Sequence, residues 1–166
     1  MNAKLDKAVT MQRAQALTRL QYGALCYRFD GDTPLVLLIT SRGTGRWILP
    51  KGWPIPGLDG AATAAREAWE EAGVVGRVSP VPLGAYHYAK LLDKRREVPC
   101  KVEVYPLCVA RLEDEYPETG QRQRVWFAAT EAARKVDEPE LKQLLGTLDP
   151  MALRRLCLTA TGPHST

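Results

Sequence analysis

Three glutamates lie close together in one short segment of the sequence. Glu67, Glu70 and Glu71 stand at positions i, i+3 and i+4, so a helix would place all three carboxylates on one face. Like charges at this spacing repel one another and weaken a helix unless a cation lies among them. Carboxylate oxygens are the ligands that Mg²⁺ prefers, and Mg²⁺ is commonly shared with substrate phosphates. Taken alone, the spacing leaves two interpretations open: a metal site, or a solvated helix face whose glutamates pair with basic residues.

The residues around the glutamates predict the helix that would hold them. Asp59 is a suitable N-cap and Gly73 a suitable C′ residue, which predicts a helix over Gly60–Ala72. A loop rich in proline and glycine, residues 51–57, leads into it. Several other positions of the predicted helix are alanine: Ala61, Ala64, Ala65, Ala68 and Ala72. Small side chains let a helix lie close against a sheet, which would fix the position of the acidic face.

The rest of the chain alternates short apolar runs with turn residues, which predicts strands. We expect strands over 22–27, 35–40, 47–49, 74–83, 84–92, 97–112 and 125–127, and helices over 130–136, 139–145 and 150–158. Pro99 and Pro106 predict a frayed start and a bulge or an edge position in the long strand. This order predicts an α/β (α+β) fold with a mixed sheet. We expect a flexible or weakly helical arm over 1–18, one domain over 19–158 and a frayed tail over 159–166.

Composition narrows the classes of protein to consider. The 166 residues are 45% hydrophobic, and the formal charge of +4 suits an anionic small molecule better than nucleic acid. The first twenty residues lack a signal-peptide core, and no apolar run approaches the roughly 18 residues that span a bilayer. The cysteines Cys26, Cys100, Cys108 and Cys157 form no Cys-x-x-Cys pair. This spacing argues against a zinc site and a disulfide scaffold, and predicts reduced thiols in a cytoplasmic protein.

The acidic segment resembles the signature of the Nudix hydrolases, Gly-x5-Glu-x7-Arg-Glu-U-x-Glu-Glu-x-Gly-U, where U is aliphatic. The matching residues are Gly52, Arg66, Glu67, Glu70, Glu71 and Gly73. Leu58 stands where the pattern has its first glutamate, and Ala68 is small for the aliphatic position. Because the three principal metal-binding glutamates are present and the missing one is peripheral to the metal, the resemblance implies that activity survives.

The resemblance implies a Nudix-type α/β/α sandwich with a central mixed sheet and a loop–helix–loop catalytic motif. It also implies a metal cofactor, Mg²⁺ with Mn²⁺ as the alternative. The implied metal ligands are Glu67, Glu70, Glu71 and the backbone carbonyl of Gly52, and Arg66 would orient the glutamates through a salt bridge. The general base stays open among Glu70, Glu71 and Glu103. For Glu103, the alternative is an exposed strand carboxylate.

Residues outside the signature resemble the diphosphoinositol polyphosphate and diadenosine polyphosphate branch of the family. The similar segments are 22–28, 47–52 and 124–127. The candidate phosphate contacts are Arg42, Arg46, Lys51, Arg122 and Arg124, although each singly is equally consistent with a solvated surface charge. Trp53 is a candidate for stacking on a base or for packing on the sheet edge. Gln21 lies where this branch often has a basic residue, which argues against inositol pyrophosphate.

These observations predict a metal-dependent pyrophosphohydrolase that acts on a small phosphoanhydride. The candidate substrates are a nucleoside diphosphate derivative, a dinucleoside polyphosphate and an inositol pyrophosphate. Two alternatives remain: a catalytically idle Nudix-fold module that binds a nucleotide and regulates a partner, and an RNA 5′-end pyrophosphohydrolase. Leu58 is the feature that favours the idle module. By analogy with the family, a homodimer is one alternative for the assembly.

Overall fold

The computed structural model describes residues 3–159, apart from the side chains of residues 10–16. The elements, in chain order, are α1 Ala3–Leu17, β1 Arg19–Asp30, β2 Thr33–Thr40, β3 Trp47–Ile48, β4 Lys51–Gly52, α2 Gly60–Ala72, β5 Val74–Val78, β6 Gly84–Asp93, β7 Arg96–Leu112, β8 Arg124–Ala128, α3 Ala129–Lys135, α4 Pro139–Gly146 and α5 Pro150–Thr159. The predicted tail after Thr159 lies outside the described residues, and the proposed domain limits stay a prediction.

One mixed sheet of eight strands forms the centre of the fold. Its main path runs β3-β2-β1-β7-β5, while β4 pairs with β1, β6 with β7, and β8 with β2. The β1–β7 pair is parallel, and the other pairs are antiparallel. The mixed sheet and the α+β class predicted from the sequence are therefore confirmed.

Helices cover both faces of this sheet. Helix α2 packs through its buried alanines on the face that presents Ala24, Cys26 and Leu37. Helices α3, α4 and α5 pack on the face that presents Leu25, Tyr27 and other alternate residues. Because successive strand residues point to opposite faces, one apolar run such as β1 supplies both cores. The three-layer sandwich fixes α2, and with it the glutamates, against the sheet.

Local signals explain where α2 begins and ends. The Asp59 carboxylate accepts a hydrogen bond of 2.7 Å from the backbone N–H of Ala62, as an N-cap should. Gly73 ends the helix with φ of 66°, a left-handed conformation that favours glycine. Both predicted caps are therefore confirmed.

Replacing Asp59 with alanine tests the N-cap. We expect the free energy of unfolding to fall by about 1 kcal/mol because one N–H at the helix start loses its partner. Urea titration followed by circular dichroism measures this change. The Asp59→Asn variant keeps an acceptor oxygen at the same position and should lose only a few tenths of a kcal/mol. An equal loss in both variants would contradict the capping role.

The long strand β7 differs from the prediction at Pro106. Pro106 lies inside the sheet, between β1 on one side and a changeover from β6 to β5 on the other. The Pro106 carbonyl accepts a hydrogen bond of 2.9 Å from the backbone N–H of Ser79, which follows β5. Because the nitrogen and the carbonyl of one strand residue face the same neighbouring strand, the Pro106 nitrogen also faces the side of β5 and β6. Along β7, Pro106 comes after Val104, which pairs with β6, and before Leu107, which pairs with β5. The changeover therefore accommodates the missing N–H of Pro106 without an edge position, and the register shift of the β5–β7 pair lies farther along, at Val75 and Gly76.

The expectation of four reduced thiols is wrong in this structure. Cys108 of β7 and Cys157 of α5 form a disulfide with a Cα–Cα distance of 5.4 Å, while Cys26 and Cys100 are free and buried. The fold brings together two cysteines 49 positions apart, which spacing along the chain does not reveal. The disulfide removes the argument from reduced thiols for a cytoplasmic location. No helix in the described part of the chain is long and apolar enough to cross a membrane.

Candidate active site

A cleft of about 600 Å³ opens where α2 meets the strand ends and three loops. Helix α2 contributes Glu67 and Glu71 to its wall, and β4 contributes Lys51 and Gly52. The other lining residues come from strands and from three loops. They include Gln21 of β1, Tyr88, Lys90 and Leu91 of β6, Arg42 and Arg46 of the β2–β3 loop, residues 53–56 after β4, and Glu118 and Arg122 of the β7–β8 loop. The cleft therefore combines carboxylates with several cationic side chains.

Glu71 is the most deeply placed of the three glutamates. The residue is 8% exposed, and its carboxylate accepts a hydrogen bond of 3.2 Å from the backbone N–H of Lys51. An Arg122 nitrogen lies 3.6 Å from its other oxygen. Burial raises the pKa of Glu71 to about 7, although Arg122 and Lys51 oppose the shift.

Glu67 lies against the backbone of Gly52. A Cβ atom at position 52 would overlap the carboxyl group of Glu67, so this close approach requires glycine. Burial raises the pKa of Glu67 to about 7, and the nearby charges of Glu70 and Glu118 contribute. Uncompensated negative charge on this part of the helix is the condition that a cation would relieve.

The donor set fits a hard divalent ion in its chemistry. Glu67 and Glu71 supply carboxylate oxygens beside the backbone of Gly52, and the raised pKa of each carboxyl group shows that its charge lacks full compensation. Within residues 3–159, however, no three His, Cys, Asp or Glu side chains are grouped closely enough to hold an ion. Glu71 instead faces Arg122, and the side chain of Glu70 does not line the cleft.

The raised pKa values predict that metal affinity depends on pH. A carboxyl group must lose its proton to bind a metal, so Mn²⁺ affinity should fall as the pH drops from about 8 to about 6, through the pKa values near 7. Isothermal titration calorimetry at several pH values measures this dependence. A flat profile across that range would contradict it.

The same raised pKa values predict that the stability of the metal-free protein falls as the pH rises, whereas metal affinity rises. Folding raises the pKa of Glu67 and Glu71 from 4.5, so the folded state binds more protons than the unfolded state between about pH 4.5 and about pH 7. The contribution of these two groups to stability is therefore present at low pH and is lost as the pH rises through that window. Thermal unfolding without metal serves as the companion measurement.

Lys51 and Lys90 line the cleft next to aromatic rings. The Lys51 ammonium lies 4.9 Å from the centre of the Tyr88 ring, and the Lys90 ammonium lies 5.7 Å from that of Trp53. Burial lowers the pKa of Lys51 to about 8, while Glu71 opposes the shift. Lys51 and Lys90 thus add two basic side chains to the cleft wall.

Four of the five predicted phosphate contacts line the cleft: Arg42, Arg46, Lys51 and Arg122. Arg124 does not, and this is a correction. Its guanidinium donates to the carbonyls of Ala72 and Glu113 at 2.7 and 2.8 Å, so it caps the C-terminal end of α2. Side-chain direction, which sequence spacing does not give, separates it from Arg122.

Two further expectations need correction. Glu103 does not line the cleft, and its carboxylate accepts a hydrogen bond of 3.3 Å from the Tyr105 hydroxyl. Arg66 is exposed and forms no salt bridge with any residue that the structure describes, so the predicted orienting contact is absent. Arg122, which comes from a distant loop, contacts Glu71 instead. Trp53 is 37% exposed and lines the cleft, rather than packing on the sheet edge alone.

Sequence reasoning missed two charged residues of the cleft, Glu118 and Lys90. Glu118 lies in the acidic loop before β8 and pairs with Arg42 and Arg122 at 3.5 Å. Lys90 follows Tyr86 and Tyr88 at alternate positions of β6. That period of two places all three side chains on one face, which is the signal that would have identified Lys90.

Comparison with known proteins agrees with this geometry. A family model described as the NUDIX domain matches residues 19–148. The chain therefore belongs to the Nudix family, in which divalent metal ions are generally used.

Among curated proteins, the human diphosphoinositol polyphosphate phosphohydrolase 3-alpha is 30% identical over 112 residues, which cover 66% of this chain and 64% of that protein. The rat diphosphoinositol polyphosphate phosphohydrolase 2 is also 30% identical, over 66% of this chain and 58% of that protein. The matched region thus spans less than two thirds of these relatives.

Solved structures share the fold. A C. elegans Ap4A hydrolase superposes with a TM-score of 0.55 at 23% identity, covering 77% of this chain and 93% of that chain. A NUDIX hydrolase from Nitrosomonas europaea superposes with a TM-score of 0.58 at 18% identity, covering 77% of this chain and 86% of that chain. The Nudix-type sandwich predicted from the signature is confirmed.

Proposed function

We propose that this chain is a Mg²⁺-dependent hydrolase that cleaves a phosphoanhydride bond in an anionic small molecule. The observation that carries the proposal is that Glu67 and Glu71 share one cleft with three arginines and two lysines. Carboxylates suit a divalent ion, and the basic side chains suit the phosphate oxygens that such an ion shares with a substrate. Mn²⁺ is the alternative ion.

The residues of the cleft have distinct proposed roles. Glu67, Glu70, Glu71 and the carbonyl of Gly52 would hold the ion, which when bound lowers the pKa of water and neutralises charge on the leaving oxygen. Glu70 would need to turn toward the cleft to take part. Lys51 and Arg46 would bind phosphate oxygens and hold the anhydride in line for attack.

The general base is proposed from the carboxylates that face the cleft. Glu118 is 20% exposed at its side chain and lines the wall, so it joins Glu71 as a candidate, while Glu70 would first have to turn toward the cleft. Glu103 leaves this set because it does not line the cleft. A base must reach the attacking water in the substrate complex, which favours carboxylates on the cleft wall.

The cleft wall also bears on the group attached to the diphosphate. Trp53, Ile55 and Leu91 form an apolar part of the lining, and Trp53 is exposed enough to contact a ring. A planar nucleobase suits such a wall because stacking favours flat, weakly hydrated surfaces. Gln21, which lies where the resembling branch often has a basic residue, is uncharged and 2% exposed. We therefore rank a dinucleoside polyphosphate ahead of an inositol pyrophosphate.

A substrate panel tests the proposed function. It contains a dinucleoside polyphosphate, a nucleoside diphosphate sugar, an inositol pyrophosphate and a 5′-triphosphorylated RNA, each with Mg²⁺ or Mn²⁺ and scored for phosphate or pyrophosphate release. We expect turnover of the dinucleoside compound and its loss when EDTA is added. An inert protein that still binds a nucleotide would favour the catalytically idle module. Exclusive cleavage of RNA would favour an RNA 5′-end pyrophosphohydrolase.

Restoring the missing signature glutamate tests the idle module from another side. Leu58 is half-buried, and it lies outside the cleft lining. We therefore expect the Leu58→Glu variant to change kcat by less than about threefold, because a peripheral carboxylate adds little to the charge at the metal. Steady-state kinetics measures the change. Recovery from complete inactivity would contradict the proposal that the natural chain is active.

A further inference from the structure

Arg122 is the most buried of the three arginines that line the cleft. Its side chain is 8% exposed, and one terminal nitrogen lies 3.6 Å from a Glu71 oxygen and 3.5 Å from a Glu118 oxygen. The other terminal nitrogen donates to the backbone carbonyl of Thr40 at 3.2 Å. Its Nε is buried and has no hydrogen-bond partner among the described residues. The guanidinium is thus held by two carboxylates and a carbonyl, and its buried Nε–H is unused.

This contact gives Glu71 a cation of the protein itself as its partner. The positive charge that stabilises Glu71 in the structure comes first from Arg122. A divalent ion at Glu71 would supply the same compensation, so the ion and the guanidinium compete for one carboxylate. Glu118 is a second partner and would retain Arg122 if Glu71 turned to an ion.

We propose that Arg122 is a positioning residue that acts as the counter-ion of Glu71 in the metal-free protein and turns to a substrate phosphate when a divalent ion takes its place. This inference rests on the proposed function and adds an order of binding to it, in which the metal binds before Arg122 contacts the substrate phosphate. Metal binding releases the guanidinium from Glu71. A planar guanidinium with free donors is well suited to a phosphate group.

The other two arginines of the cleft do not share this position. Arg42 pairs with Glu118, but its side chain is 61% exposed. Arg46 is exposed and has a hydrogen bond to Thr44, with no ion pair in the part of the chain that the structure describes. Arg46 therefore provides a matched control for metal binding measured without anion, since its removal also deletes one positive charge from the cleft without freeing a carboxylate.

The proposal predicts coupling between the metal and the anion. Because metal binding frees Arg122, an oligophosphate should bind more tightly in the presence of the metal, and by linkage the anion should tighten the metal equally. Part of this coupling arises from direct contact between ion and phosphate. The remainder depends on Arg122 and should disappear when that side chain is removed.

Calorimetry with Mn²⁺ tests both parts. Without anion, we expect the Arg122→Gln variant to bind Mn²⁺ about fivefold or more tightly than wild type, and Arg46→Gln to differ from wild type by less than about twofold. With saturating methylenediphosphonate, a hydrolysis-resistant probe, the gain in Mn²⁺ affinity should be about fivefold smaller in Arg122→Gln than in wild type. Circular dichroism verifies that the variants are folded.

The outcomes separate this inference from the proposed function. Equal or weaker Mn²⁺ binding by Arg122→Gln would overturn it, as would an equal gain in Arg46→Gln. If Arg122→Gln fails to fold, Arg122→Lys takes its place, because lysine keeps the charge but lacks the planar fork and should give a smaller gain. Its affinity must still exceed that of wild type. Failure of wild type to bind Mn²⁺ at all would instead contradict the proposed function.

Discussion

Replacing Glu71 with glutamine is expected to lower the turnover of a phosphoanhydride substrate by about 10²-fold or more, because charge stabilisation by a metal supplies several kcal/mol to the transition state. Glutamine keeps the volume of the side chain and an oxygen for the Lys51 N–H, which lies 3.2 Å away. The variant thus removes the negative charge with little change in packing. Steady-state kinetics at saturating Mg²⁺ measures the loss.

The control for this variant is Glu131→Gln. Glu131 lies on α3, outside the cleft, and is exposed. It loses the same charge, so its turnover should stay within about twofold of wild type, as is usual for distant surface substitutions. Wild-type turnover in Glu71→Gln would show that the deepest carboxylate of the cleft has no part in the chemistry.

Reduction of the disulfide is expected to have the largest effect on stability. Cys108 and Cys157 are 49 positions apart, and opening a loop of this size raises the entropy of the unfolded chain. We expect the free energy of unfolding to fall by about 2–4 kcal/mol. Urea titrations with and without dithiothreitol measure the difference.

A double variant provides the control for reduction. With both disulfide cysteines replaced by serine, the protein should have the stability of the reduced wild type and should not respond to dithiothreitol. Helix α5 keeps a second contact with the sheet, since the Tyr27 hydroxyl donates to the Leu153 carbonyl at 2.7 Å. Equal stability of wild type in oxidising and reducing buffer would contradict a stabilising disulfide.

Local signals in the sequence predicted most of the fold. Helix α2 has the predicted limits because Asp59 and Gly73 act through neighbouring backbone groups. The position of Pro106 was not predictable in this way. It depends on where β6 stops and β5 begins along β7, and this is set by the pairing of segments distant in the chain.

In the site, too, residues fixed by a local element were predictable from the sequence, and residues placed by a distant loop were not. The signature identified Glu67 and Glu71, which reach the cleft because one helix fixes both of them. Arg124 and Arg122 are only two residues apart, yet one caps α2 and the other pairs with Glu71. Their difference arises from the tertiary placement of one loop. Glu118 was missed for the same reason, since only the fold brings that loop beside α2.

Anomalous scattering from a crystal soaked with Mn²⁺ and methylenediphosphonate shows whether Glu67 and Glu71 hold a divalent ion beside a bound diphosphate. We expect a strong peak bounded by the carboxylates of Glu67 and Glu71 and the carbonyl of Gly52, with a phosphonate oxygen on its open side. The same peak should weaken in Glu71→Gln crystals soaked alongside. Diphosphonate in the cleft with no manganese at these three residues would contradict the account.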